Sequence, residues 1–228
     1  MYPSRMCGRY ALHANPEVVA LQFALSEQPS FRESYNLRPG NDVLVVRRQQ
    51  AGERVAAPYR WGLVPHWAKS AAIGNQLANA RAEGIEEKPA FRDAFQWRCL
   101  VPASGYYEWR SAAGRRQPWY MQPVDAPLFG LAGITALWHG LRSVALITTV
   151  PNALTETIHE RMPLIIALED YAAWLDPQNA GAKALLRSYP AARMRSHPVS
   201  ERVNSPDEDD AGLVAQAAPR QRDLLEGG

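Results

Sequence analysis

The chain has 228 residues and a formal net charge of +2, with 46% hydrophobic and 21% charged residues. This composition is typical of a globular domain and excludes a collagen, a coiled coil or a wholly disordered chain. Because no apolar run approaches the roughly 20 residues that cross a bilayer, and the start carries no apolar signal segment, we expect a cytoplasmic protein with no membrane partner.

The predicted elements begin with a short helix that Asn15 caps and Pro16 opens. Further helices are predicted at 154–159 and 168–186, the latter broken at Asp176-Pro177. Apolar runs bounded by turns predict strands at 42–47, 54–61, 98–102, 106–110, 118–121, 128–134 and 144–149. Because helices and strands do not alternate strictly, we predict a single α+β domain with a β-rich, mostly antiparallel, barrel-like core and flanking short helices.

Charge is distributed unevenly along the chain. Residues 206–228 carry a net charge of −4, which leaves +6 for residues 1–205. The acidic end lacks apolar periodicity, so we predict a disordered tail there. Arginine supplies 22 of the 25 bases; this residue suits bidentate phosphate contacts, but a GC-rich genome also favours its codons. Charge alone therefore suggests a nucleic-acid partner and does not establish one.

The two cysteines, Cys7 and Cys99, form neither a disulfide framework nor a paired metal motif. Cys99, in an apolar segment, is predicted to be a small buried hydrophobic residue. The five histidines are dispersed, without the spacing of a zinc site. We therefore expect neither a metal nor an organic cofactor.

Six short motifs combine residue types that are rare in ordinary core sequence. They are Met6-Cys7-Gly8-Arg9, Tyr35-Asn36-Leu37-Arg38-Pro39-Gly40, Arg60-Trp61-Gly62-Leu63-Val64-Pro65-His66-Trp67, Asn79-Ala80-Arg81-Ala82-Glu83, Gly105-Tyr106-Tyr107-Glu108-Trp109 and His159-Glu160-Arg161-Met162-Pro163. In this order they resemble the motifs of the SOS-response-associated peptidase (SRAP) family of abasic-site processing proteins. The resemblance runs from Met6 to about Val203 and predicts a domain at 6–205, followed by the acidic tail at 206–228.

The resemblance implies a monomeric protein that crosslinks itself to abasic sites in single-stranded DNA and associates with the nucleoid when bound. An open abasic sugar presents an aldehyde, and an N-terminal cysteine presents a neighbouring amine and thiol. An α-amine has a pKa of about 7.7–8.0, so part of it is nucleophilic at neutral pH. It can form a Schiff base, which the thiol closes to a thiazolidine. Only a Cys7 that has become the first residue can do this.

Residues Met1 to Arg5 precede the family's usual start and depart from its pattern. In one interpretation, translation begins at Met6 and methionine removal exposes Cys7. In the other, the protein cleaves its own chain after Met6, as the family's peptidase label implies.

The resemblance also implies catalytic roles for three further residues. Glu108 would be the general acid or base, although a strand carboxylate satisfied by an arginine is the structural alternative. His159 would assist sugar opening and crosslink reversal, or simply stabilise a helix end. Asn79 would orient the amine or the sugar, or would be an ordinary turn residue.

Candidate DNA contacts follow from the same resemblance. Arg9, Arg81 and Arg161 would bind phosphates without sequence preference. Trp67 would stack on an exposed base, whereas Trp61 suits core packing equally well. Asn36 would belong to a DNA-facing loop, with a plain β-turn as the alternative.

Two other functions remain open from the sequence. A cysteine peptidase acting in trans would use Cys7, His159 and Glu108 and would not need a free α-amine. A non-covalent single-stranded DNA-binding module would keep its activity after Cys7→Ala.

Overall fold

The computed structural model describes residues 8–49, 52–112 and 114–217, so Cys7 lies outside the described residues. Among the helices in these ranges, none combines the length and the hydropathy needed to span a bilayer.

Strands dominate the described part of the chain. They are β1 (Arg9–Leu12), β2 (Ser34–Leu37), β3 (Asp42–Arg48), β4 (Arg54–Trp61), β5 (Asn79–Arg81), β6 (Arg98–Ala103), β7 (Gly105–Ala112), β8 (Arg115–Pro123), β9 (Phe129–Trp138), β10 (Leu141–Thr149), β11 (Met162–Pro163), β12 (Ile165–Ile166) and β13 (Met194–Pro198). The α-helices are α1 (Pro16–Phe23), α2 (Pro89–Arg92) and α3 (Tyr171–Leu175), and short 3₁₀ helices connect several strands.

Five strands close into a barrel. β10 pairs with both β4 and β9, and the pairings β4–β3, β3–β6 and β6–β9 complete the ring. All of these pairings are antiparallel except the parallel pair β4–β10, and β5 also lies parallel to β10. A second, wholly antiparallel sheet has the order β13-β8-β7-β1-β2; we call it the flanking sheet. The predicted α+β fold with a barrel-like, mostly antiparallel core is confirmed.

Strand alternation gives the flanking sheet two buried faces. Tyr10 and Tyr106 pair across β1 and β7 and join the main core shared with the barrel. The opposite face, with Tyr107, packs in a smaller cluster that includes Val203 and Leu213. Since successive side chains of a strand point to opposite faces, this division follows from the sequence period.

The acidic end corrects one prediction. Residues 206–217 form part of the folded domain: the Leu213 side chain is buried and an Asp209 carboxylate oxygen accepts hydrogen bonds from Ser34 Oγ and the Tyr35 amide. Asp210 caps a 3₁₀ helix by accepting from the Gly212 amide at 2.8 Å. The acids bind backbone and side-chain donors here, so this half is not a disordered tail. Residues 218–228 lie outside the described residues.

Two predicted helices also differ from the structure. Residues 153–158 form turns: the Asn152 side chain accepts from the amides of Leu154 and Thr155 as a helix cap would, but no regular helix follows it. The predicted helical region at 168–186 does break at Asp176-Pro177, but only Tyr171–Leu175 is α-helical, with 3₁₀ helices on either side.

Candidate active site

Glu108 lies on the inner face of the flanking sheet. Its side chain is only 2% exposed. Two neighbours of Glu108 face the main core. They are Tyr106, two residues earlier on β7, and Trp119, which pairs with Glu108 from β8. β7 begins at Gly105, where a Cβ would approach the Tyr120 ring to 2.1 Å. Glycine therefore allows Tyr120 to pack directly against the start of this strand.

The start of β1 lies beside this carboxylate. Arg9 pairs with Tyr107 and Tyr10 with Tyr106 in antiparallel register. Continued by one residue, the register brings Gly8 level with Glu108. Cys7, which precedes Gly8 in the chain, lies outside the described residues.

β5 brings Asn79 and Arg81 to the same region. The strand lies parallel to β10, with Asn79 opposite Leu146 and Arg81 opposite Thr148. A chain of contacts joins β5 to the flanking sheet. The Tyr10 and Trp61 rings lie 5.4 Å apart, and the Trp61 indole donates to the carbonyl of Ala78, the residue before Asn79.

Arg161 forms a fork with Glu83 beside the end of β10. Its Nη1 and Nη2 donate to the two Glu83 carboxylate oxygens at 2.9 and 2.7 Å, and Nη2 also donates to the Thr148 carbonyl at 2.7 Å. These hydrogen bonds lower the pKa of the Glu83 carboxyl. The Arg161 side chain is about one-tenth exposed. The fork therefore holds the chain around residue 161 against β5 and β10.

His159 is oriented by the same segment. Its Nδ1 lies 3.1 Å from the Arg161 amide nitrogen and 3.2 Å from the Arg161 carbonyl oxygen. Unprotonated Nδ1 can accept from the amide, and protonated Nδ1 can donate to the carbonyl. The ring therefore has a partner in either protonation state, which is suited to a residue that transfers protons through Nε2. We call Asn79, Arg81, Glu83, His159 and Arg161 the Arg161 site.

Two of the three predicted phosphate ligands are engaged within the protein. Arg161 is occupied by Glu83 and Thr148, and this placement does not support a direct phosphate contact. Arg9 is half-buried and donates to Asn36 Oδ1 at 2.7 Å and to the Asn204 carbonyl at 2.9 Å. Arg81 is exposed, as a phosphate ligand requires.

Asn36 is part of a buried network and does not lie on an open surface. It is 6% exposed, and its amide donates to the carbonyls of Ser205 and Glu208 at 2.9 and 2.7 Å. Its oxygen accepts from Arg9. Asn36 thus fastens the 203–209 segment to β2, which does not support its predicted contact with DNA.

Trp61 and Trp67 have different environments. Trp61 is 1% exposed and belongs to the core, whereas Trp67 is 49% exposed. The loop that carries Trp67 lies beside the start of β10. The Val64 amide donates to Ser143 Oγ on that strand, and the Trp138 indole donates to the Ala68 carbonyl. Trp67 is therefore displaced along the barrel from the Arg161 site.

Cys99 is fully buried, and burial raises the pKa of its thiol. This supports its predicted role as a small hydrophobic residue. Within residues 8–49, 52–112 and 114–217, no three His, Cys, Asp or Glu side chains come together as metal ligands.

The roles of Glu83 and Thr148 are not predicted by their place in the sequence. Glu83 was visible within the Asn79–Glu83 motif, but its partner Arg161 lies 78 residues away. The carbonyl of Thr148 carries no sequence signal at all. Gly84, which follows the motif, has a φ of +67°, a conformation that favours glycine.

Comparisons with known proteins agree with the fold and the motifs. Residues 6–206 match the family model described as SOS response associated peptidase (SRAP). The chain is 35% identical to the abasic site processing protein YoqW of Bacillus subtilis, over 92% of this chain and 99% of that protein. It is 29% identical to the abasic site processing protein HMCES of Mus musculus, over 88% of this chain and 73% of that protein.

A solved structure of a Bacteroides thetaiotaomicron protein resembles this fold with a TM-score of 0.83 and 28% identity, over 93% of this chain and all of that one. The family model covers nearly the whole folded domain, including both strands that frame Glu108 and the segment that carries His159 and Arg161. The chain therefore belongs to the SOS response associated peptidase family.

Proposed function

We propose that this protein senses abasic sites in single-stranded DNA and joins Cys7 to the lesion as a thiazolidine, after removal of residues 1–6. The relatives named abasic site processing proteins support a role in abasic-site processing. The observation that carries the covalent proposal is the β1–β7 register, which brings the start of β1 level with the buried Glu108 carboxylate.

The reaction balances with the loss of one water. The Cys7 α-amine attacks the aldehyde carbon of the open sugar, and the resulting carbinolamine loses water to give an imine. The Cys7 sulfur then adds to the imine carbon, and the thiol proton passes to the nitrogen. Glu108, buried between the sheets, transfers the protons of these steps.

His159 and Asn79 serve the sugar in this proposal. His159, held through Nδ1, presents Nε2 for ring opening and for later reversal of the crosslink. Asn79 lies on β5 beside the contact chain from Tyr10 through Trp61, where it orients the amine or the sugar by hydrogen bonding.

DNA affinity comes from cations and an aromatic ring. Arg81 is exposed beside the end of β10 and pairs with phosphate, and Arg9 contributes positive charge at the start of β1. Trp67 stacks on a base farther along the strand. Such contacts bind the backbone without reading sequence and weaken as salt rises.

The test is incubation with a single-stranded oligonucleotide that contains one abasic site, followed by denaturing electrophoresis. We expect a shifted band for the wild type and none for Cys7→Ala. Cys7→Ala and Cys7→Ser both keep the α-amine but lack the thiol, so each should give only a product that requires borohydride trapping. Protein with a chemically blocked N-terminus should give no band.

Other outcomes identify the alternatives. Peptide turnover that survives N-terminal blocking favours a peptidase acting in trans. Unchanged DNA affinity with no covalent band in any variant favours a non-covalent binding module. A band that persists with a blocked N-terminus contradicts thiazolidine formation.

A further inference from the structure

A groove opens at the barrel end away from the Arg161 site. Five strand ends meet at this rim, because the antiparallel pairings and the parallel β4–β10 pair fix their directions. They are the end of β3 at Arg48, the start of β4 at Arg54, the start of β6 at Arg98, the end of β9 at Trp138 and the start of β10 at Leu141. The groove has a volume of about 950 Å³. We call it the mouth groove; barrel mouths are common ligand sites.

The mouth groove combines exposed apolar surface with guanidinium groups. Trp97 is 49% exposed and Leu137 is 63% exposed. Arg47, Arg48 and Arg142 line the same space, and the described residues that line it include no carboxylate. This combination complements a ligand that is both flat and anionic.

Two aromatic rings beside the groove, those of Trp97 and Tyr59, lie next to arginine side chains. The Arg47 guanidinium lies 5.5 Å from the Trp97 ring centroid, and its Nη1 donates to the Tyr59 hydroxyl at 3.2 Å. Arg142 lies 5.9 Å from the Tyr59 ring centroid. Among the residues that the structure describes, Arg48 is the one of these three arginines with a carboxylate partner, Asp176 at 3.4 Å. Arg47 and Arg142 are therefore placed to meet phosphate while Trp97 offers a stacking surface.

A second groove connects the mouth groove with Trp67. Its volume is about 390 Å³, and both grooves are lined by Trp97, Thr135, Ala136 and Leu137. Trp67 also lines this second groove, together with Asp93. The two grooves thus form a continuous path from Trp67 past Trp97 to Arg142.

This path extends away from the Arg161 site along β10. Arg142 and Thr148 are six residues apart on that strand, a distance of about 20 Å. We infer that the mouth groove binds an unpaired flank of the DNA strand whose abasic site lies at the Arg161 site, with a base on Trp97 and phosphates at Arg47 and Arg142. This inference rests on the proposed function for the position of the lesion.

The first test measures affinity for abasic-free oligothymidylate by fluorescence anisotropy, so it does not depend on crosslinking. For a strand of about 16 nucleotides, Trp97→Ala should raise Kd about 5–20-fold, and Trp97→Phe should restore most of the loss. Arg142→Ala should also raise Kd and reduce the slope of log Kd against log salt by about 1. Arg187→Ala, at an exposed position outside the groove, is the matched control and should change neither value.

The second test separates this inference from the proposed function. The wild type and Trp97→Ala are titrated with two abasic oligonucleotides, one with about two nucleotides on each side of the lesion and one with about twelve. Trp97→Ala should need about 5–20-fold more protein for half-maximal crosslinking of the long strand at limiting DNA, and the same amount as the wild type for the short one.

If both proteins reach half-maximal crosslinking at the same concentration on each strand, the proposed DNA binding by the mouth groove is overturned, while the proposed function stays intact. If neither strand is crosslinked by the wild type, the proposed function fails, and the anisotropy series still decides whether the groove binds an unpaired strand. Polyglutamate that binds as tightly as oligothymidylate and loses affinity equally in Trp97→Ala would overturn the inference, because the groove would then bind an acidic peptide.

Discussion

Arg142 lies at the start of β10 and Arg161 lies beside the end of that strand, and their surroundings differ in a way that separates two tasks. Arg161 is about one-tenth exposed and is bound by Glu83 and by the Thr148 carbonyl. Arg142 is exposed and faces the Tyr59 ring, and no carboxylate of residues 8–49, 52–112 or 114–217 forms a salt bridge with it. A guanidinium whose donors are occupied holds the protein's own segments in place, whereas one with open donors is available to an anionic ligand. The difference indicates a rigid end suited to chemistry and an open end suited to binding.

The strongest test of the rigid end removes the proton-transfer group. Glu108→Gln preserves the shape of this buried side chain, so we expect the crosslinking rate to fall about 100-fold with little change in DNA affinity. Single-turnover electrophoresis measures the rate. Glu160→Gln, at an exposed position near His159, is the control and should leave it unchanged. A wild-type rate in Glu108→Gln would remove this carboxylate from the mechanism.

Loss of the fork should destabilise the protein. Arg161→Ala leaves the Thr148 carbonyl and Glu83 without this donor, and we expect the free energy of unfolding to fall by about 1–3 kcal/mol. Urea denaturation measures it. Arg81→Ala, an exposed arginine on β5, should change it by less than about 0.5 kcal/mol. Equal effects of the two substitutions would contradict the structural role assigned to Arg161.

The fork should also contribute a small pH dependence. Because Arg161 lowers the pKa of Glu83, the carboxylate adds stability that is present above its unfolded-state pKa of about 4.3. This contribution is lost as pH falls through the lower folded-state pKa. The stability difference between wild type and Glu83→Gln, at most about 1 kcal/mol for this half-exposed carboxylate, should therefore be present at pH 7 and disappear in acid. A difference that persists or grows below pH 3 would be inconsistent with an ion pair.

The open end should tolerate substitution with the smallest effect on stability. Arg142→Ala should change the free energy of unfolding by about 0.5 kcal/mol or less, because this side chain is exposed. Trp97→Ala should lower it by only about 1 kcal/mol, because the indole is 49% exposed. Thermal unfolding at two protein concentrations checks this. A large loss of stability would mean that these residues support the fold and do not form a surface reserved for a ligand.

Local signals in the sequence predicted much of the barrel. Asn15 and Pro16 begin α1, and the Asn15 side chain accepts from the Glu17 amide as a cap. The apolar runs at 42–47 and 54–61 become the antiparallel pair β3–β4. These elements follow from periodicity and capping, which are properties of neighbouring residues.

Where the structure differs from the prediction, the cause is an interaction between residues that are far apart in the sequence. The composition of 206–217 indicates disorder, but Asp209 finds donors on β2 and Leu213 packs behind Tyr107. Arg161 has the residue type of a phosphate ligand, yet Glu83 occupies it from 78 residues away. Residue type alone proposes the candidate phosphate ligands, but only the fold decides which of them are engaged within the protein.

Intact mass spectrometry of the purified crosslink tests the central claim most directly. The account predicts a protein that begins at Cys7, plus the abasic oligonucleotide, less one water. The product should also resist borohydride, since a thiazolidine has no C=N bond to reduce. A crosslinked species that retains Met6, or one that gains two hydrogens on reduction, would contradict thiazolidine formation at Cys7.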